Sequence, residues 1–229
     1  MTEAEWMAAT DPNPMLEHLW TEPGNRKLRL FGAACCRQVW GRLMHIESRQ
    51  AVEAVERYAD GGIDTDKLAD ARNLHRSCGA WKIQRNAADT VSQASFYDGS
   101  TTSSMLAAIG AAKSAAHAWT DKTEGGARSY RETSWVPLWN EARSVQVAFV
   151  RDIFGNPFRP VAADPSWFTS TVLSLAQGIY DDRAFDHLPI LADALQDEGC
   201  ENPDILDHCR GPGPHVRGCF VVDILTGRK

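Results

Sequence analysis

The stretch from His208 to Cys219, HCRGPGPHVRGC, gathers two His, two Cys and two Arg around a Gly-Pro-Gly-Pro loop. Imidazole nitrogen and thiolate sulfur are the donors that hold zinc. His215 and Cys219 have H-x3-C spacing, which suits two ligands one helical turn apart. His208 or Cys209, with Cys200, would complete a tetrahedron. The stretch lacks the tight C-x2–4-C knuckle of strong zinc motifs. The simpler expectation is that Cys200 and Cys219 are small buried thiols. His208 and His215 would then bond to loop backbone.

The same loop has a second chemical reading. A helix start near Arg210, His215 and Arg217 is a place for an anion. Neither a Walker lysine nor G-x-G-x-x-G is present, so the favoured expectation is a rigid turn between helices. Gly211 and Gly213 permit positive φ there, and Pro212 and Pro214 lock the rest.

Other candidates are weaker. Phe154, Phe158 and Arg159, in DIFGNPFRP, are residue types that anchor a protein partner. The simpler expectation is that both Phe fill the core. Nucleophilic catalysis needs a Cys or Ser beside a base. Cys35 falls on an apolar helix stripe and reads as inert core, Cys36 is free to face elsewhere, and the chain has no G-x-S-x-G and no H-E-x-x-H. Asp181, Asp182, Asp186 and Asp193 lie near His187 and read as a solvated helix end, with a carboxylate metal site as the lesser alternative.

Helices must position these groups. Thr2 and Glu5 have capping-box spacing. Asn13 and Pro14 look like the cap and first position of a second helix. Leu28, Phe31, Cys35 and Val39 form one stripe at helical period. Val52, Val55 and Tyr58 form another, and Leu68, Ala71 and Leu74 a third after a cap at Asp64 or Thr65. An Ala-rich segment, SSMLAAIGAAKSAAHAWTD, has high helix propensity. TEGGARSYRETS reads as a surface loop. A helix through Leu138, Val145, Phe149 and Ile153 ends at Gly155. The Pro-rich connector that follows leads to Asp164 and Pro165, a cap and first position. Pro189 and then Asn202 with Pro203 open two short helices, and Gly227 stops a last one. The fold expected is all-α, a multi-helix bundle with a compact C-terminal helical unit. Residues 1–155 form the N-terminal bundle and 156–229 the C-terminal unit.

Composition sets wider bounds. The 229 residues are 43% hydrophobic, enough for a sizeable core without metal or disulfide staples. A net charge of -6 repels phosphate backbones and disfavours nucleic-acid binding. No run of about 18 apolar residues is present, so no membrane span is expected. The acidic start, MTEAEWMAAT, lacks signal-peptide character. A cytoplasmic protein with reduced thiols is the expectation.

Four stretches together resemble an uncharacterised family of small proteins from planctomycete-type bacteria. They are MTEAEWMAATDPNPMLEHL, RKLRLFGAACCRQVWGRL, VRDIFGNPFRPV and LPILADALQDEGC with HCRGPGPHVRGCFVVDILTG. The resemblance brings no established activity or catalytic residues. The tail resembles the ends of otherwise different proteins, which implies a portable module. The leading expectation is a non-enzymatic scaffold or protein-interaction module. A zinc protein built on Cys200, His208, Cys209, His215 and Cys219 is the alternative, and a small-molecule enzyme is a third.

Overall fold

A computed structural model describes residues 1–19, 25–78, 101–120 and 135–228. The fold is all-α, and no strand occurs among the described residues. The helices are α1 (Glu3–Ala8), α2 (Pro12–His18), α3 (Asn25–Gln38), α4 (Ile46–Ala59), α5 (Thr65–Ser77), α6 (Thr101–Thr120) and α7 (Trp135–Phe154). They continue as α8 (Ser170–Asp182), α9 (Leu188–Asp197), α10 (Pro203–Arg210) and α11 (Phe220–Thr226). Among the described residues, no helix is long and apolar enough to cross a membrane. The expected loop TEGGARSYRETS lies outside the described residues.

The chain forms two compact units, Met1–Val147 and Ala148–Lys229. The division falls inside α7, not at the expected 155/156 boundary. The last turns of α7 therefore belong to the C-terminal unit.

In the N-terminal unit, α3 packs on α4 and α6, and α4 packs on α5. The stripe Leu28, Phe31, Cys35 and Val39 is buried together, as its spacing predicts. Cys36 is buried as well, and burial pushes both adjacent thiols well above their ordinary range. A neutral, enclosed thiol is no nucleophile. Polar cross-links fix the packing. Fully buried Gln146 donates to Gln38 Oε1 at 3.0 Å and to the Ala112 carbonyl at 2.9 Å. Arg37 forms a forked pair with Glu56, at 2.7 and 2.8 Å, and stacks over Trp40.

Caps follow the sequence signals with two displacements. Thr2 and Glu5 form the capping box. Asp11, not Asn13, caps α2, with Pro12 in its first turn. Asp164 caps only a short 3-10 turn, Pro165–Trp167, and Thr169 caps α8 instead. Asp64 caps α5 and Asn202 caps α10.

The C-terminal unit packs α8 against α9 and α11, and α9 against α10. Its core contains Trp167, Val172, Ile179, Tyr180, Leu188, Leu191, Ile205 and Val222, with Cys200, Cys209 and Cys219 among them.

Phe31 is fully enclosed. Phe31→Ala is expected to lower unfolding free energy by about 3–5 kcal/mol, read by urea denaturation. A midpoint equal to wild type would show that the stripe does not carry the core.

Candidate metal centre of the C-terminal unit

Asp152 organises this site. It sits on α7 two residues before the helix ends, beside Ile153 and three residues after Phe149, on an apolar face. Its exposure is only 2%. A buried carboxylate requires compensation by hydrogen bonds or opposite charge. His215 Nδ1 lies 2.7 Å from Asp152 Oδ1, and His208 Nε2 lies 3.1 Å from the same oxygen. The backbone N–H of Val216 donates to Oδ2 at 2.8 Å. Burial pushes the Asp152 carboxyl up, but bonds from His208 and His215 and their charges outweigh it and hold the group below its ordinary range. Burial likewise lowers His215, while the bond to Asp152, its charge and the Gly211 carbonyl raise it to a net upward shift.

Cys219 completes the cluster. Its Sγ is 3.3 Å from His208 Nε2. One donor atom from each of Asp152, His208, His215 and Cys219 lies within 4.8 Å of the other three. Four segments deliver them: the end of α7, the last turn of α10, the Gly-Pro loop and the N-cap of α11.

Close packing holds the loop in place. Gly213 has φ +73°, and a Cβ there would stand 2.8 Å from the backbone nitrogen of His215 and 3.1 Å from its ring. Only glycine leaves room for that imidazole. Gly155, at φ +67°, ends α7 with its α-carbon side against the Phe220 ring. That ring packs 4.6 Å from the ring of His208, which in turn lies 4.9 Å from His215.

The geometry suits a tetrahedral ion. Zinc bonds of about 2.0–2.3 Å separate ligand atoms by roughly 3.3–3.7 Å. The His208–Cys219 and His208–Asp152 distances are close to such edges. The His215–Asp152 contact, at 2.7 Å, is shorter, a proton-bridged hydrogen bond that must open by about 0.6–1.0 Å to admit the ion. His215 has the outer-shell arrangement common to metal-bound imidazole. Its Nδ1 faces the cluster, while Nε2 lies 3.5 Å from the Gly211 carbonyl.

Of the sequence candidates, His208, His215 and Cys219 converge. Cys200 and Cys209 do not join them; they are core thiols, and burial pushes Cys209 up to about 12. His215 and Cys219 are not a helical turn apart, because His215 is on the loop and Cys219 caps α11. The anion reading is not supported, since each arginine has its own partner. Arg210 pairs with Asp193 and Gln196, Arg217 lies over Tyr180, and Arg159 is 3.9 Å from Asp204. Phe158 is exposed and does not fill the core. Asp186 and His187 are exposed, as expected of a solvated helix end.

Comparison with protein-family models, curated proteins and solved structures returns no match for this chain. The reading of the site therefore rests on its geometry.

In metal-free protein, Asp152→Ala removes the acceptor of two imidazoles and of the Val216 backbone N–H. The expected loss is about 3–5 kcal/mol in chemical denaturation. The pH profile has a definite sign. Asp152 is depressed below 3.8, so its contribution is present above that pH and lost as pH falls through its folded pKa. His215 is raised above 6.5, so its contribution is full below that pH and lost as pH rises through its folded pKa. Stability from this pair should peak between those two pH values, and Asp152→Asn should flatten the peak. An unchanged profile in that variant would contradict the assignment.

Proposed function

We propose that the C-terminal unit is a zinc-stapled helical module and that the protein acts as a non-enzymatic scaffold. The observation that carries this reading is the convergence of Asp152, His208, His215 and Cys219 in the unit's interior. Charge supports it. A carboxylate and a thiolate with two neutral imidazoles balance one dication, so the loaded site is electrically neutral where uncompensated charge is costly. The donor set of one sulfur, two nitrogens and one oxygen favours zinc over hard cations such as magnesium or calcium.

Four protein ligands close the coordination sphere. Catalytic zinc keeps one position for water or substrate, whereas structural zinc does not. Cys219 is fully buried, and the side chain of His215 is only 10% exposed. This enclosure supports a structural role. A cytoplasmic setting would keep Cys219 reduced and available. A portable tail module, as the planctomycete-type resemblance implies, is compatible with this role.

Protein purified without added metal is expected to carry zinc, and a chelator should lower its thermal midpoint. The double variant His215→Gln/Cys219→Ala should lose the C-terminal zinc, and its stability should fall by more than the roughly 1–3 kcal/mol of lost packing. The proposal fails if wild type is indifferent to the chelator and the double variant loses only that packing increment.

A further inference from the structure

We propose a second cation site, in the N-terminal unit, formed by His45, Glu47 and Cys78 and open to water. It is independent of the C-terminal site. One donor atom from each residue lies within 4.8 Å of the other two, and all three residues are half-buried. The α4–α5 pairing creates this juxtaposition. His45 is the N-cap of α4 and Glu47 lies in its first turn, while Cys78 is the C-cap of α5.

This end of the helix pair is pinned by contacts that involve none of the three ligands' side chains. Ser48 Oγ and His75 Nδ1, both buried, are 3.1 Å apart. They lie three residues after His45 and three before Cys78, so they hold the register of the two segments. Arg49 Nε donates to the Leu43 carbonyl at 2.8 Å and ties down the approach to α4. The helix dipoles roughly offset each other here. The N-terminus of α4 favours the Glu47 carboxylate, and the C-terminus of α5 favours a cation.

The donors are one nitrogen, one oxygen and one sulfur, which suits zinc or cobalt(II). Three protein ligands leave at least one position for water or an incoming ligand. Cys78 currently donates its S–H to the His75 carbonyl at 2.9 Å. On binding, that proton goes to solvent and Sγ turns to the ion as thiolate. A half-exposed site with three ligands should hold its ion more weakly than an enclosed site with four.

The test is a cobalt(II) titration of metal-stripped, full-length protein, followed by calorimetry and visible absorption. Wild type should bind in two steps, both with sulfur-to-cobalt charge transfer. Cys78→Ser and His45→Ala should each weaken the second step by more than about tenfold and leave the first unchanged, because ligand loss should cost at least as much as loss of an outer-shell partner. Circular dichroism of both variants should match wild type. A single step unaffected by Cys78→Ser overturns the proposal, as does a second step that survives both substitutions. A single step abolished by Cys78→Ser would instead support this site and count against the C-terminal one.

Discussion

A carboxylate that the fold takes out of water is the constraint around which the C-terminal unit is built. Asp152 is almost fully enclosed, yet its charged form is favoured because two imidazoles and a backbone N–H converge on it. Each of those partners comes from a segment about sixty residues further along the chain. The carboxylate therefore ties the end of α7 to the loop that follows α10. Loss of these contacts would leave an uncompensated buried charge, a far larger penalty than loss of an ordinary contact.

The same constraint explains the glycines and aromatics nearby. Gly213 gives the loop room to set His215 against the carboxylate. Gly155 lets Phe220 approach the helix end, and Phe220 backs the ring of His208. Cys219 then stands at the N-cap of α11, facing His208. A dication would convert this acid–imidazole–thiol arrangement into a neutral coordination sphere. In the proposed account the metal takes over from hydrogen bonds as the link among four chain segments.

Much of the architecture was legible in the sequence, because caps and helical stripes are local. The stripe from Leu28 to Val39 is buried where its spacing put it, and Asn202 opens α10 as its side chain predicts. The displaced caps at Asp11 and Thr169 arose where several capping residues compete within a few positions. The site was half legible. His208, His215 and Cys219 stood out as donor types, but H-x3-C spacing suggested a helical pair that the Gly-Pro loop does not form. Asp152 had no spacing signal, since its partners are distant in sequence. Its one local sign was an acid on the apolar face between Phe149 and Ile153. Glu47, His45 and Cys78 were invisible for the same reason: the α4–α5 pairing, not sequence proximity, brings them together.

The central claim is that Asp152, His208, His215 and Cys219 share one metal ion. An anomalous-difference map from crystals of the untreated protein, measured at the zinc absorption edge, addresses it directly. The account predicts a peak at bonding distance, about 2.0–2.3 Å, from one donor atom of each of the four side chains. A map with no peak there, and with Asp152 still hydrogen-bonded to both imidazoles, would contradict it.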